Sequence, residues 1–217
     1  MKILTALFAL ATISACHPVD PLSAKNDPKT RWWYIGFTEP AHMTVWVETS
    51  AVEDINGRIF HSVASGAAAR SDHEDGTENA RGWVGIGGAG MPVLGADLPK
   101  RIFVRWQSTV ERKTYAGWID ISESTREMMR NSTAQRCHET PQFTANLSAA
   151  LNLGLAPGGI IQVWVCDDCF RAHKVDRGQV GIEPLGPDQG KYNGFYGKIK
   201  DSSQRYIERF GIPYGSW

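Results

Sequence analysis

Apolar residues along the chain gather in short strand-like runs at short intervals, some of them alternating with polar ones at the two-residue spacing that sends side chains to opposite sides of a strand. Residues 32–37 (WWYIGF) form a compact aromatic strand candidate, in which neighbours Trp32 and Trp33 must face opposite sides. In 42–49 (HMTVWVET), Met43, Val45 and Val47 alternate with His42, Thr44 and Trp46. Between Ile55 and Ile59 stands Asn56-Gly57, and an Asn-Gly pair between apolar residues is the strongest short-range hairpin signature. Runs 101–110 (RIFVRWQSTV) and 113–121 (KTYAGWIDI) are separated by Glu111-Arg112 alone, which predicts a hairpin or wide turn. Residues 160–165 (IIQVWV) are strongly β-prone, and 178–182 is a shorter strand candidate. Helical patterns are fewer. One is 122–130 (SESTREMMR), opening on Ser122; the other is 204–210 (QRYIERF), stopped by Gly211 and Pro213. Many short strands and few helices predict an antiparallel β-sandwich or rolled sheet with peripheral helices, an α+β layer fold being the alternative. Residues 65–98, with eight glycines and the acidic residues Asp72, Glu74, Asp75 and Glu78, are expected to form a long surface loop or a weak edge hairpin.

The N-terminus departs from this pattern. Met1-Lys2 is followed by a nearly unbroken apolar run, Ile3 to Ile13, and then Ser14-Ala15-Cys16. A positive charge and a short apolar run mark a secretory signal, and the run is too short for a stable membrane span. Ile13-Ser14-Ala15-Cys16 resembles the bacterial lipoprotein box, which implies cleavage after Ala15 and acylation of the Cys16 sulfur. His17 follows rather than the aspartate of the inner-membrane retention signal, so the expected address is the periplasmic face of the outer membrane. The expected organisation is a signal peptide over 1–15, a lipidated tether over 16–30 with prolines at 18, 21 and 28, and one β-rich domain over 31–217. The acyl chains are then the membrane contact.

Charge and composition narrow the function classes. Twenty-three basic and 23 acidic residues leave no net charge, and nucleic acid is not an expected partner because a general binder needs a basic surface. Four cysteines include Cys16; in an oxidising compartment two of Cys137, Cys166 and Cys169 are expected to form a disulfide, with Cys137 pairing either Cys166 or Cys169. Cys166-Asp167-Asp168-Cys169 has redox-motif spacing, but it follows a strand rather than opening a helix, and two aspartates oppose a lowered thiol pKa. A Cys137, Cys166, Cys169 and His173 (or His138) zinc set lacks a second well-spaced half, so no metal is expected. Gly85 to Gly90 has dinucleotide-loop spacing, but Met91-Pro92-Val93 is a poor helix start and a loop is expected. No Gly-x-Ser-x-Gly or His-Glu-x-x-His motif occurs. The reading is a non-enzymatic protein without a cofactor. Its eight tryptophans are mainly core, and any exposed ones are interface anchors.

Residues 98–108 (LPKRIFVRWQS) with 115–121, residues 154–159 (GLAPGG) leading into 163–165, and the C-terminal 211–217 (GIPYGSW) resemble a family of proteobacterial lipoproteins classed as domain of unknown function 2931. The resemblance runs from about Arg31 to Trp217, and none of its motifs is catalytic. In that comparison Cys166 is an addition to the family's pattern, which implies a Cys137–Cys169 disulfide. The resemblance further implies a lipid-anchored immunity protein that occludes a type VI secretion effector of the phospholipase kind. Asp72, Glu74, Asp75 and Glu78 are the expected contact loop, where carboxylates would meet a basic rim. The alternative is a structural envelope lipoprotein or one that binds a small ligand or lipid.

Overall fold

The computed structural model describes residues 20–70, 82–87 and 90–217. Its strands are β1 (Trp33–Glu39), β2 (Val45–Asp54), β3 (Ile59–His61), β4 (Gly66–Ala67), β5 (Ala69–Arg70), β6 (Met91–Val93), β7 (Pro99–Ser108), β8 (Lys113–Asp120), β9 (Ala150–Ala156), β10 (Ile160–Cys166), β11 (Ala172–Gln179) and β12 (Gly181–Ile182). Its helices are α1 (Glu123–Ala134) and α2 (Asp201–Phe210), and a tightly turned segment, Pro187–Gly194, precedes α2. The strands form two sheets. Sheet I has the order β12-β8-β7-β2-β3 with β4 also on β2, all antiparallel. Sheet II has the order β11-β10-β9-β1-β5 with β6 also on β1. The expected sandwich is therefore present, but sheet II is mixed: β1 runs parallel to both β9 and β5.

Alternation explains how the sheets meet. Val45 and Val47 of β2, Ile102, Val104 and Trp106 of β7, Leu151, Leu153 and Leu155 of β9, and Ile161, Val163 and Val165 of β10 all point into one core with Trp33, Ile35 and Phe37 of β1. Burying each such aliphatic side chain contributes about 1.5–3 kcal/mol. Trp33 is buried while its neighbour Trp32 is 38% exposed, as their opposite facing requires. The Asn-Gly hairpin joins β2 to β3, with Gly57 at φ +77° and Asp54 Oδ1 accepting from the amides of Asn56 (2.9 Å) and Arg58 (3.0 Å). The β7–β8 pair closes over residues 109–112 in unbroken register from Ser108↔Lys113 to Arg101↔Asp120. No helix follows the glycines at 85–90; β6 does, pairing with β1.

Helix α1 covers one end of the core with Met129. Ser122 caps it by accepting from the Thr125 amide, and Asp176 on β11 accepts from the Ser122 amide (3.0 Å) and the Thr125 hydroxyl (2.7 Å). Residues 20–30, assigned from sequence to the tether, lie against the domain. Ala24 is fully buried, its amide donates to Ala134 (3.1 Å), and Asp27 takes a two-pronged bond from Arg136 (2.9 and 2.6 Å). Contact with the domain thus reaches back to Leu22, whose carbonyl accepts from the Arg136 amide (2.8 Å). Helix α2 and the C-terminus build a second apolar cluster of Ala41, Met43, Ala156, Tyr206 and Trp217. Among the described residues no helix is long and apolar enough to cross a membrane.

Candidate functional site

On the outer face of sheet I a strap crosses the strands and leaves a cleft. The same alternation that sends Val45 and Val47 inward turns Trp46 and Glu48 outward, with Gln107 of β7 opposite Trp46. Glu48 has a side chain only 2% exposed, so its charge must be satisfied locally. It accepts from Arg105 Nε (2.6 Å), Gln107 Nε2 (2.9 Å) and the backbone amide of Asp188 (2.7 Å). That last bond anchors the strap. Beyond it the chain makes two left-handed turns: Asp188, Gln189 and Gly190, then, after an extended Lys191, Tyr192, Asn193 and Gly194, all at positive φ. A left-handed conformation costs a non-glycine residue about 1–2 kcal/mol, so four of these positions are strained and must be held from outside. Glu48 holds one end. At the other, the Tyr196 hydroxyl is 3.2 Å from that of Thr114, and Arg112 lies over the Tyr196 ring at 5.8 Å.

Between strap and sheet lies a cleft of about 410 Å³. Its apolar walls are Trp46, Ala67, Ala68 and Phe195; Thr44, Gln107 and Thr109 give it polar groups, and Glu39, Asp188, Lys198 and Lys200 charge. Trp46 is 49% and Phe195 70% exposed, so two large aromatic faces flank an opening of ligand-pocket size. Gln107 is buried; with its amide nitrogen committed to Glu48, its carbonyl is the polar atom it has left to offer. Lys200 is the residue on which α2 begins, and no side chain caps that helix start.

A second cluster surrounds the disulfide. Cys137 and Cys169 are joined, as the family resemblance implied, linking the segment after α1 to the β10–β11 turn across 32 residues of sequence. Among the described residues Cys166 is the free thiol, half-buried, and burial and the neighbouring Asp167 charge both push its pKa up. Asp167 organises the turn by accepting from the amides of Cys169 and Arg171 and from the side chains of Arg171 and His173. Burial raises its pKa, but these bonds, His173's first, outweigh it and bring the value down to about 2. His138 Nδ1 lies 3.7 Å from Cys169 Sγ, and the Cys137, Cys169 and His138 ligand atoms all fall within 4.8 Å of one another. The two sulfurs are bonded to each other, however, so they do not present the thiolates a zinc set needs.

A third cluster pins the C-terminus. Glu111, with a side chain 1% exposed, accepts from the Tyr115 hydroxyl (2.8 Å), the Tyr214 hydroxyl (2.8 Å) and the Gly158 amide (3.2 Å). Burial, and then the bond to Glu111, push the Tyr214 hydroxyl up to about 12. Trp217 Nε1 donates to Pro157 O (3.1 Å), and Arg177 donates to Trp217 O (2.9 Å).

Of the residues singled out from sequence, Cys137 and Cys169 come together. Cys16 and the Asp72, Glu74, Asp75 and Glu78 loop lie outside the described residues. His138 sits at the disulfide, and His173 donates to Asp167. The cleft was missed. Its one readable trace is Trp46, a tryptophan in the polar phase of a strand; the strap that makes a pocket around it carries no such pattern. A comparison with family models matches residues 20–215 to the family described as "Protein of unknown function (DUF2931)". No curated protein and no solved structure matches the chain.

Proposed function

The chain belongs to the DUF2931 family, and on that premise we propose that it is a lipid-anchored periplasmic binding protein. In this reading the signal peptide is removed, Cys16 carries the acyl chains, and the domain faces the periplasm from the outer membrane. A disulfide between Cys137 and Cys169 favours an oxidising compartment, since such bonds are rare where thiols are kept reduced. Binding rather than chemistry is the assigned role. Its main support is the aromatic cleft, with one exposed ring on sheet I and one on the strap beside a cavity of about 410 Å³.

The partner proposed first is a secreted antibacterial effector of the type VI system, phospholipase-like, which the protein would occlude as its immunity factor. A membrane tether raises the inhibitor's effective concentration where such an enzyme acts. Asp72, Glu74, Asp75 and Glu78 are the proposed contacts, steering encounter with a basic rim. The test is capture of the effector encoded beside this gene by the unacylated chain (Cys16→Ser), together with protection of cells that express the effector in their periplasm. Capture with protection is expected; neither would end the immunity reading. The cleft favours a second reading, an envelope protein that holds a small amphiphilic ligand. Mass spectrometry of the processed chain checks the premise of both, a di- or triacylated N-terminal Cys16.

A further inference from the structure

We infer that the cleft between the strap and sheet I binds a phosphate-bearing amphiphile of the single-chain phospholipid class. Its acyl chain would lie along Trp46, Ala68 and Phe195, and its phosphate would meet Lys198 and Lys200. This rests on the second reading above, that the cleft is a ligand site, and names the ligand's chemistry.

Shape and surface come first. The cavity of about 410 Å³ is near the lower end for ligand pockets, so it would take part of one chain beneath a head group at the opening and has no room for a two-chain lipid. Its walls are chiefly apolar, and the two aromatic rings stand exposed at 49% and 70%. A solvent-facing tryptophan opposite a solvent-facing phenylalanine leaves apolar area in water, and an alkyl chain laid between them would remove it.

Charge decides the head group. Lys198 and Lys200 follow one another at alternate positions on the cleft lining. The Lys198 ammonium has one weak partner, Asp201 at 3.6 Å, and both groups are well exposed (87% and 79%), so the pairing is screened and easily exchanged. Two carboxylates also line the cleft. Glu39 is buried on the floor, and its Oε2 is committed to the Val45 amide at 2.6 Å. Asp188 sits on the strap, where its backbone is tied to Glu48. Of the two carboxylates, Glu39 is thus engaged from below and Asp188 stands on the strap as the one acid an incoming phosphate would have to oppose, against two ammonium groups. Lysine is a flexible point charge that phosphate accepts well, and the Gln107 carbonyl can accept from a glycerol hydroxyl. A neutral amphiphile would use the walls and draw nothing from the lysines.

The experiment uses the unacylated full chain (Cys16→Ser), so that no detergent competes. Three probes are titrated below their micelle concentrations by calorimetry: lysophosphatidylglycerol, the monoacylglycerol of the same chain length, and inorganic phosphate. A bromine-labelled chain reports contact by quenching tryptophan fluorescence. Lysophosphatidylglycerol is expected to bind about ten-fold more tightly than monoacylglycerol, corresponding to about 1.4 kcal/mol. Phosphate alone is expected to bind weakly. The double variant Lys198→Gln/Lys200→Gln should bring the phospholipid to the monoacylglycerol level, Asp188→Asn should tighten it two- to three-fold (roughly, by removal of one like charge), and Trp46→Phe should abolish most quenching. Equal binding of the two amphiphiles, with quenching still dependent on Trp46, would overturn the phosphate assignment and leave the cleft a ligand site. Phosphate binding as tightly as the phospholipid would overturn the amphiphile. No binding of any probe, or quenching unchanged in Trp46→Phe, would remove both the inference and the reading beneath it.

Discussion

At Gly154 a single added methyl would have nowhere to go. A Cβ there would sit 2.5 Å from the Trp164 ring and 2.5 Å from the Trp83 ring, which meet edge to face at 4.9 Å over the outer face of sheet II. Gly154→Ala must push Trp83 and its loop away, and a loss of about 1–3 kcal/mol in denaturant unfolding is expected. Asp27 shows the same dependence of one residue on distant chain. Arg136's hydrogen bond first, then the Ala145 amide, hold its carboxyl at about 2, below its ordinary 3.8. A carboxyl depressed in the folded state stabilises it above the ordinary value, and that contribution disappears as pH falls through the folded pKa. The difference in melting temperature between wild type and Asp27→Asn should therefore be full at neutral pH, shrink below pH 3.8 and be largely gone near pH 2. Asp167 titrates in the same window in both proteins and cancels from the comparison.

The element that most needs its context is the strap. Propensity does not favour left-handed Asp188, Gln189, Tyr192 and Asn193, so the segment keeps its shape only while the sheet holds it. Glu48 is the buried anchor. Replacing it with alanine removes the acceptor of the Asp188 amide and leaves the largely buried Arg105 without its carboxylate. The expected cost is about 3–5 kcal/mol. Limited proteolysis should also show new cleavage within 187–197 under conditions where the parent resists. A variant that loses stability without opening the strap would place its anchor elsewhere, at Tyr196. Helix α1 behaves in the opposite way: its cap, Ser122, is local in sequence and was readable there, although the helix runs four residues past the expected end at Arg130.

For the whole molecule the disulfide is the longest covalent constraint, tying α1's far end to the β10–β11 turn. Closing a loop of this length restricts the unfolded chain, and Cys137→Ser with Cys169→Ser is expected to lower unfolding free energy by about 2–4 kcal/mol, measured against the parent with and without a dithiol reductant. If reductant destabilises the double variant as much as the parent, the bond is not the source. The N-terminal segment contributes at this scale too. Its bonds to Ala134, Arg136, Ala145 and Leu147 make residues 20–30 part of the fold, so a soluble form truncated at Arg31 would lose the Asp27–Arg136 pair.

Sequence alone put a sandwich or rolled sheet first, because short strand-like runs outnumber helical ones, and β2 and β7 show the two-residue period that burying one face of a strand requires. It also placed the Asn56-Gly57 turn and the Ser122 cap, whose physics spans a few residues. It did not reveal β9 or β11. The first reads as a weak apolar run around Asn152 and Gly154, buried on both faces because a loop covers the outside; the second is a polar edge strand, largely exposed. It did not reveal the parallel pairing of β1 with β9 either, which depends on where a strand 110 residues later returns to the sheet. The cleft belongs wholly to the tertiary level. Trp46, Gln107, Phe195 and Lys198 are scattered along the chain, and the strained strap, held by Glu48 at one end and Tyr196 at the other, brings them around one cavity.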